Sequence, residues 1–176
     1  NHTSGDYTEG NAWQWTWFAP HDVPGLVKLM GGEAPFIKKL DQLFTEDSTI
    51  DGANSSVDIS GLIGQYAHGN EPSHHIIYLY ACAGQPWKAA ERLHEVIRTQ
   101  YGNQPKSLSG NDDCGQMSAW YLFTVMGFYP VCPGSDYYVI GSPAVPKAVM
   151  QLSNGRKFTM TAENLNRSNI YVQSVK

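Results

Sequence analysis

Basic clusters are missing from this chain: no run of Lys or Arg is longer than the pair Lys38-Lys39, and 12 basic residues stand against 16 acidic ones, a formal net charge of -4. Nucleic acid is held chiefly by clustered cations, so this balance argues against a nucleic-acid partner. Long apolar runs are missing too. The longest, around 76–83 and 119–128, fall far short of the ~20 residues a bilayer-spanning helix needs. The start shows no charged segment leading into an apolar one, so a secretory signal is either already removed or outside this sequence. Cysteine is scarce. Cys82, Cys114 and Cys132 have no CxxC spacing, and three thiols cannot all pair within one chain. Cys82, in an apolar helical stretch, reads as a small buried hydrophobe. Cys114 follows two carboxylates, which raise a thiol pKa and argue against a nucleophilic thiolate.

What is present reads as mainly α with a C-terminal antiparallel β tail. The 176 residues suffice for one sizeable core or for part of a larger domain. Between Glu33 and Asp47, Phe36, Leu40, Leu43 and Phe44 share one face of an amphipathic helix. Asp22 can start a helix toward Met30. Ser73 can cap a helix through His74 to Ala83 that Gly84 closes, and Pro86 opens another that runs through Trp87 to Gln100. Asn111, Asp112 or Asp113 can cap a fourth from Gln116 to Met126, ended by Gly127 and stopped by Pro130. Trp87 reads as a packing residue. After Pro130 the pattern alternates: 137–140, 148–152, 157–161 and 169–173 read as short strands, with Ser153-Asn154-Gly155-Arg156 as a hairpin turn. No linker separates the helical part, 1–130, from the β region, 131–176, which is expected to pack on the helices.

Two polar strings stand out, Gly69-Asn70-Glu71-Pro72-Ser73-His74-His75 and Gly110-Asn111-Asp112-Asp113-Cys114-Gly115-Gln116. Each places carboxylate and amide oxygens in a Gly-bounded turn before an apolar helical pattern, where they can converge on a ligand or a cation. Capping alone explains them equally well: an Asp at a helix start is common, and Glu71 would oppose the helix dipole. Adjacent histidines on a helix point about 100 degrees apart, so at most one of His74 and His75 faces a common site. A third string, Tyr7 to Asp22, carries Trp13, Trp15 and Trp17. Their rings are either core or a platform for the C–H faces of a sugar, with Glu9, Asn11, Gln14, His21 and Asp22 supplying hydrogen bonds.

The strings YTEGNAWQWTWFAPHD, GLIGQYAHGNEPSHHI, AGQPWK, GNDDCGQMSAWYLFTVMGFYPVCPG and YVIGSP resemble, in that order, the C-terminal half of the catalytic domain of glycoside hydrolase family 92. The resemblance covers nearly the whole chain. It implies an inverting, Ca2+-dependent, exo-acting α-mannosidase that releases terminal α-linked mannose, such as α-1,2-linked mannose of N-glycans or mannan. It also implies part of an (α/α)6 barrel, whose first helices and N-terminal β-sandwich lie outside this sequence, and a secreted, periplasmic or cell-surface protein of bacterial type. Residue by residue, Glu9 matches the general acid and Asp113 the general base, with Asp112 as second choice. Trp rings around Glu9 would favour its protonated form by desolvation. Glu71, with Asn70, Asp113 and Gln65, matches the calcium ligands, and Trp13, Asn11, Gln14, His21, Asp22, His74 and His75 the sugar contacts. The alternative is a non-catalytic carbohydrate-binding or structural piece, since four or five helices cannot close a twelve-helix toroid. Taken alone, the segment is expected to be inactive and poorly soluble.

Overall fold

The computed structural model describes residues 5–50, 56 and 58–176. Among these the helices are α1 (Ala12–Trp15), α2 (Val23–Leu29), α3 (Glu33–Thr45), α4 (Leu79–Cys82), α5 (Pro86–Gln100) and α6 (Gln116–Met126). The strands are β1 (Leu62–Ile63), β2 (Tyr66–Ala67), β3 (Phe128–Tyr129), β4 (Val139–Ile140), β5 (Lys147–Gln151) and β6 (Lys157–Thr161). Helices around a shared core, with a few small antiparallel ladders, are what the sequence pattern predicts.

Each long helix follows from its punctuation and its stripe. In α3, Phe36, Ile37, Leu40, Leu43 and Phe44 are buried at helical spacing, while Glu33 opposes the dipole in the first turn. The helix stops at Thr45 because Glu46 turns extended, two residues short of the expected end. Pro86 opens α5, whose Ala89, Ala90, Leu93 and Val96 face the core. Gly115 and Gly127, both left-handed, bracket α6. These faces join in one cluster with Trp17, Tyr78, Tyr80 and Trp120, each buried to 1% exposure or less. Each such side chain taken from water contributes roughly 1.5–3 kcal/mol. Ring geometry fixes the packing further: Tyr78 stacks on Tyr129 at 4.9 Å, and Tyr101 on Trp120 at 5.8 Å.

The segment after Asn70 departs from the sequence reading. In place of one helix capped by Ser73, two 3-10 turns, Glu71–Ser73 and Ile76–Tyr78, lead into the short α4. Asn70, not Ser73, caps the first turn, its Oδ1 accepting from the Glu71 N–H at 3.2 Å. The Ser73 hydroxyl is buried without a partner. Every residue from Pro72 to Tyr80 is buried, so no solvent face exists along which a regular amphipathic helix could be registered. Two smaller expectations also fail. Cys82, at the end of α4, is exposed, and Trp87 remains 49% exposed on the first turn of α5.

The ladders are local, and each pairs two strands antiparallel: β1 with β2, β3 with β4 and β5 with β6. The β5–β6 hairpin runs from Lys147 opposite Thr161 to Gln151 opposite Lys157. Its turn is the expected one, with Asn154 Oδ1 accepting from the Arg156 N–H at 3.0 Å and Gly155 at φ 81°. The strand expected at 137–140 is shortened to β4. The one expected at 169–173 does not form: the Ile170 carbonyl accepts from the Ser142 hydroxyl at 2.5 Å, and the Tyr171 hydroxyl donates to Glu91 on α5 at 2.8 Å. His94 on α5 also meets Ser142 at 2.9 Å, which ties the tail to the helices.

Candidate active site

Four non-glycine residues among those described have left-handed backbone, and three of them lie in the strings singled out from the sequence: Glu9 at φ 51°, Asp113 at φ 45° and Cys114 at φ 56°. With Gly115 at φ 95°, residues 113–115 form a left-handed run immediately before α6. Such conformations cost about 1–3 kcal/mol each and collect where a side chain must be aimed. Here they aim carboxylates. The two polar strings meet backbone to backbone at Gly69 and Gly110, and Asn70 Nδ2 donates to the Glu9 carbonyl at 2.8 Å, bringing the third string to the same place.

Glu71 is the centre of this meeting. Its residue is exposed, yet its carboxyl is pushed above the ordinary range, first by desolvation and then by Asp113 and Glu9, whose charges oppose its ionisation. Its own backbone N–H acts the other way. The Asp113 charge beside Glu71 is relieved when a proton or a cation lies between the two carboxyl groups. Asp112 does something else. Its Oδ1 accepts from the Ser118 N–H at 2.8 Å and the Ser118 hydroxyl at 2.9 Å, so it starts α6 while Asp113 faces Glu71. Of the two neighbouring carboxylates, Asp112 is the one engaged at the helix start.

Other residues marked from the sequence are placed differently. Asn11 caps α1, Oδ1 accepting from the Trp13 N–H at 2.8 Å, while Gln14 Oε1 accepts from the Asn11 N–H at 2.8 Å. Asn11 Nδ2 donates to Gln65 Oε1 at 3.1 Å, and Gln14 Nε2 to the Gln65 carbonyl at 2.5 Å. Gln65 Nε2 donates in turn to the carbonyls of Asp47 at 2.5 Å and Thr49 at 3.3 Å. These three buried amides satisfy one another, because a buried amide left unpaired is costly. They brace the segment that follows Glu9. Trp13 carries the Lys39 ammonium 3.6 Å from its ring centroid, Trp15 Nε1 donates to the Thr8 carbonyl at 3.0 Å, and Trp17 lies in the core. Glu9 itself is exposed. Asp22 caps α2 through the Gly25 N–H at 2.9 Å, next to an exposed His21.

Behind the carboxylates lies a buried imidazole–phenol network, of which the sequence reading found only part. His75 Nε2 donates to the Trp17 carbonyl at 2.8 Å. His74 Nε2 donates to the His68 carbonyl at 3.0 Å, leaving Nδ1 to accept from Gln116 Nε2 at 3.1 Å. The Tyr101 hydroxyl donates to the Met117 carbonyl at 3.1 Å and accepts from His68 Nε2 at 2.8 Å, so His68 Nδ1 accepts from the Tyr66 hydroxyl at 2.8 Å. Burial drives the His74 pKa down to about 4 and holds His68 well below its usual value and His75 below its own. All three rings are neutral at pH 7. His68 stands directly before Gly69, and that adjacency to the first string was the available signal for it.

Calcium was expected here on the strength of the resemblance. Among the described residues no three His, Cys, Asp or Glu groups are close enough together to hold a metal ion. Glu71 and Asp113 do fit a hard cation: two like-charged carboxylates on facing loops, each an oxygen ligand of the type calcium takes in sets of six to eight. Gln65, consumed by the amide cluster, does not fit. Asn70 has both amide atoms engaged, with Glu9 and with Glu71.

Comparison with known proteins gives the family of this helical chain with its paired acidic loops. The family model of the glycosyl hydrolase family 92 catalytic domain matches residues 1–176, so the chain belongs to that family. It is similar to a family GH92 alpha-mannosidase from Bacteroides thetaiotaomicron, solved in complex with mannoimidazole, at 48% identity and a TM-score of 0.89 over 96% of this chain and 22% of that one. It is also similar to the GH92 inverting mannosidase from Bacteroides thetaiotaomicron VPI-5482, at 40% identity and a TM-score of 0.76 over 94% of this chain and 24% of that one. An uncharacterized secreted glycosidase of Arthroderma benhamiae is 32% identical over 169 residues, which are 94% of this chain and 20% of that protein. The chain thus spans about a fifth to a quarter of the length of these relatives.

Proposed function

We propose that this chain forms one wall of the active site of an inverting α-mannosidase that removes terminal α-linked mannose, including α-1,2-linked mannose, from N-glycans or mannan. The observation that carries the reading is the convergence of Glu9, Glu71 and Asp113 from three separate segments, two of them on left-handed backbone. Inverting hydrolysis needs two carboxyls on opposite sides of the scissile bond. Glu9 donates its proton to the glycosidic oxygen as the anomeric C–O bond breaks. Asp113 takes a proton from water as the water oxygen bonds to the anomeric carbon from the opposite face, so mannose leaves with inverted configuration. Glu71 and Asp113 would hold Ca2+, which supplies a hard positive charge for sugar hydroxyls when bound. The helices would belong to an (α/α)6 barrel. A secreted or periplasmic/cell-surface location agrees with the description of the fungal relative as secreted.

The test uses the full-length protein and follows mannose release from an α-1,2-linked mannobiose, with and without a calcium chelator, by a method that identifies the first anomer formed. Activity lost to the chelator and restored by calcium, with the β-anomer first, supports the reading. Glu9→Gln and Asp113→Asn are each expected to lower kcat about 10²- to 10⁴-fold, the usual contribution of general acid and base groups. Wild-type rates in either variant would remove the catalytic assignment.

A further inference from the structure

Gln116, the first residue of α6, closes the second polar string and lies three positions beyond Asp113. Its Nε2 is 3.1 Å from His74 Nδ1 on the first string and 3.5 Å from the Tyr129 hydroxyl on β3. One amide therefore joins three elements. The direction of that amide is decided by chemistry. His74 Nε2–H is committed to the His68 carbonyl, so Nδ1 carries a lone pair, and only the NH2 side of Gln116 can face it. The second amide hydrogen points at the Tyr129 oxygen, which leaves the Tyr129 O–H free to donate elsewhere.

Both partners of Gln116 stand behind the carboxylates. Asp113 is among the charges felt by His74, and Glu71 is among those felt by Tyr129, whose phenol is pushed up to about 12, chiefly by burial. The rear of this layer does not give way. Trp120 Nε1 donates to the His74 carbonyl at 2.9 Å, and Tyr129 stacks on Tyr78 at 4.9 Å. A rigid backing of this kind orients the groups that meet substrate.

We propose that Gln116 is a positioning residue for the Glu71–Asp113 pair, its amide fixing the His74 ring behind Asp113 and turning the Tyr129 hydroxyl toward Glu71. Gln116 touches neither the sugar nor the attacking water; it acts through His74 and Tyr129. The inference rests on the mannosidase reading for its catalytic consequence, and on the hydrogen bonds alone for its structural one.

The experiment compares full-length wild type, Gln116→Met, Gln116→Glu, Tyr129→Phe and the Gln116→Met/Tyr129→Phe double variant. Gln116→Met keeps the side-chain length without donors, and Gln116→Glu keeps the shape and polarity, so that one folded variant remains if the other is lost. Each single variant is expected to lower kcat about 10- to 100-fold, as loss of a supporting hydrogen-bonded shell does, with KM little changed. The double variant is expected to be no slower than the slower single, because Gln116→Met already removes the contact through which Tyr129 is oriented. Multiplying effects, or wild-type kcat in both Gln116 variants, would overturn the proposal. Crystal structures of wild type and the folded Gln116 variant give a readout independent of turnover: the Glu71 carboxylate should leave Asp113 in the variant, and an unmoved carboxylate overturns the inference. If wild type releases no mannose, the function proposed above falls while this structural readout still decides the role of Gln116.

Discussion

A Cβ placed on Gly110 would lie 2.7 Å from the Gly69 carbonyl oxygen and 3.2 Å from the Gly69 Cα. Gly110 also sits at φ +68°, where side chains are strained whatever the space around them. The two acidic loops touch because Gly110 lacks a side chain, while the bare Cα of Gly69 clears Ser60 on its other side, and through this contact Asp113 is brought to Glu71.

Gly110→Ala should therefore damage the site more than its size suggests. The backbone of residue 69 cannot yield as a flexible side chain would, so a loss of about 1–3 kcal/mol in stability is expected from strain of this type. Mannose release should fall further than the melting temperature does, because the loops carrying Glu71 and Asp113 must separate. Both are measured on the full-length variant, and an unchanged rate would show that close contact at this point is dispensable.

Glu71→Gln should stabilise the calcium-free protein, and only at the higher end of the pH range. The Glu71 carboxyl is held above its ordinary value of 4.5 by desolvation and by Asp113 and Glu9. Its contribution is thus fully present below pH 4.5 and is lost as pH rises through the raised folded value. Melting curves in chelator should show Glu71→Gln above wild type at pH 7.5 and level with it at pH 4. A variant less stable than wild type at pH 7.5 would mean that Glu71 is compensated by a cation even without calcium.

The buried histidines give an acid limb of opposite sense. The His74 pKa drops from 6.5 to about 4, so below pH 6.5 the unfolded chain takes up a proton that the folded one refuses. Stability is full above pH 6.5 and declines toward pH 4, by roughly 3 kcal/mol for a single group shifted this far. His74→Asn, which keeps an acceptor for Gln116 but cannot be protonated there, should make this limb shallower. A wild-type melting temperature that stays flat from pH 7 to pH 4.5 would contradict neutral burial.

Cys114→Gly should be a mild stabiliser. Cys114 adopts φ 56° between Asp113 and Gly115. Relief of left-handed strain, offset in part by the greater freedom of glycine in the unfolded chain, leaves an expected gain of about 0.5–1 kcal/mol. Its thiol has no part in the proposed chemistry, so kcat should be unchanged. A large loss of activity on this substitution would give the thiol a role the site does not otherwise need.

The 176 residues expressed alone should self-associate. Leu29 is 84% exposed, Val175 67%, Tyr137 61% and Leu122 58%, and large exposed apolar surface drives association. Size-exclusion chromatography reads this directly. A monodisperse, active monomer would show that the segment closes its own core and site.

Much of the fold was legible because local punctuation and hydrophobic spacing agreed. Glycine at 127 and the Pro86 start delimit α6 and α5 within a residue of where the pattern places them, and the Asn154-Gly155 turn marks its hairpin. The pattern failed where burial was complete or pairing was distant. Residues 72–80 offer no polar face to read, and 169–173 has strand composition but turns its polar atoms to Ser142 and α5. For Asn11, Gln14 and Gln65 the sequence shows that these groups can hydrogen-bond but not that they pair with one another.

The sequence alone determined the family, through long motifs in order, and with it Glu9, Glu71 and Asp113 as the acidic groups to follow. Only the tertiary structure decided which oxygens face one another. Asp112 and Asp113 are chemically identical neighbours, and φ 45° at Asp113 sends one to the helix start and the other to Glu71. That choice depends on Gly69 and Gly110 meeting across some forty residues of chain, a contact set by packing and by the missing side chain at Gly110, which no local pattern encodes.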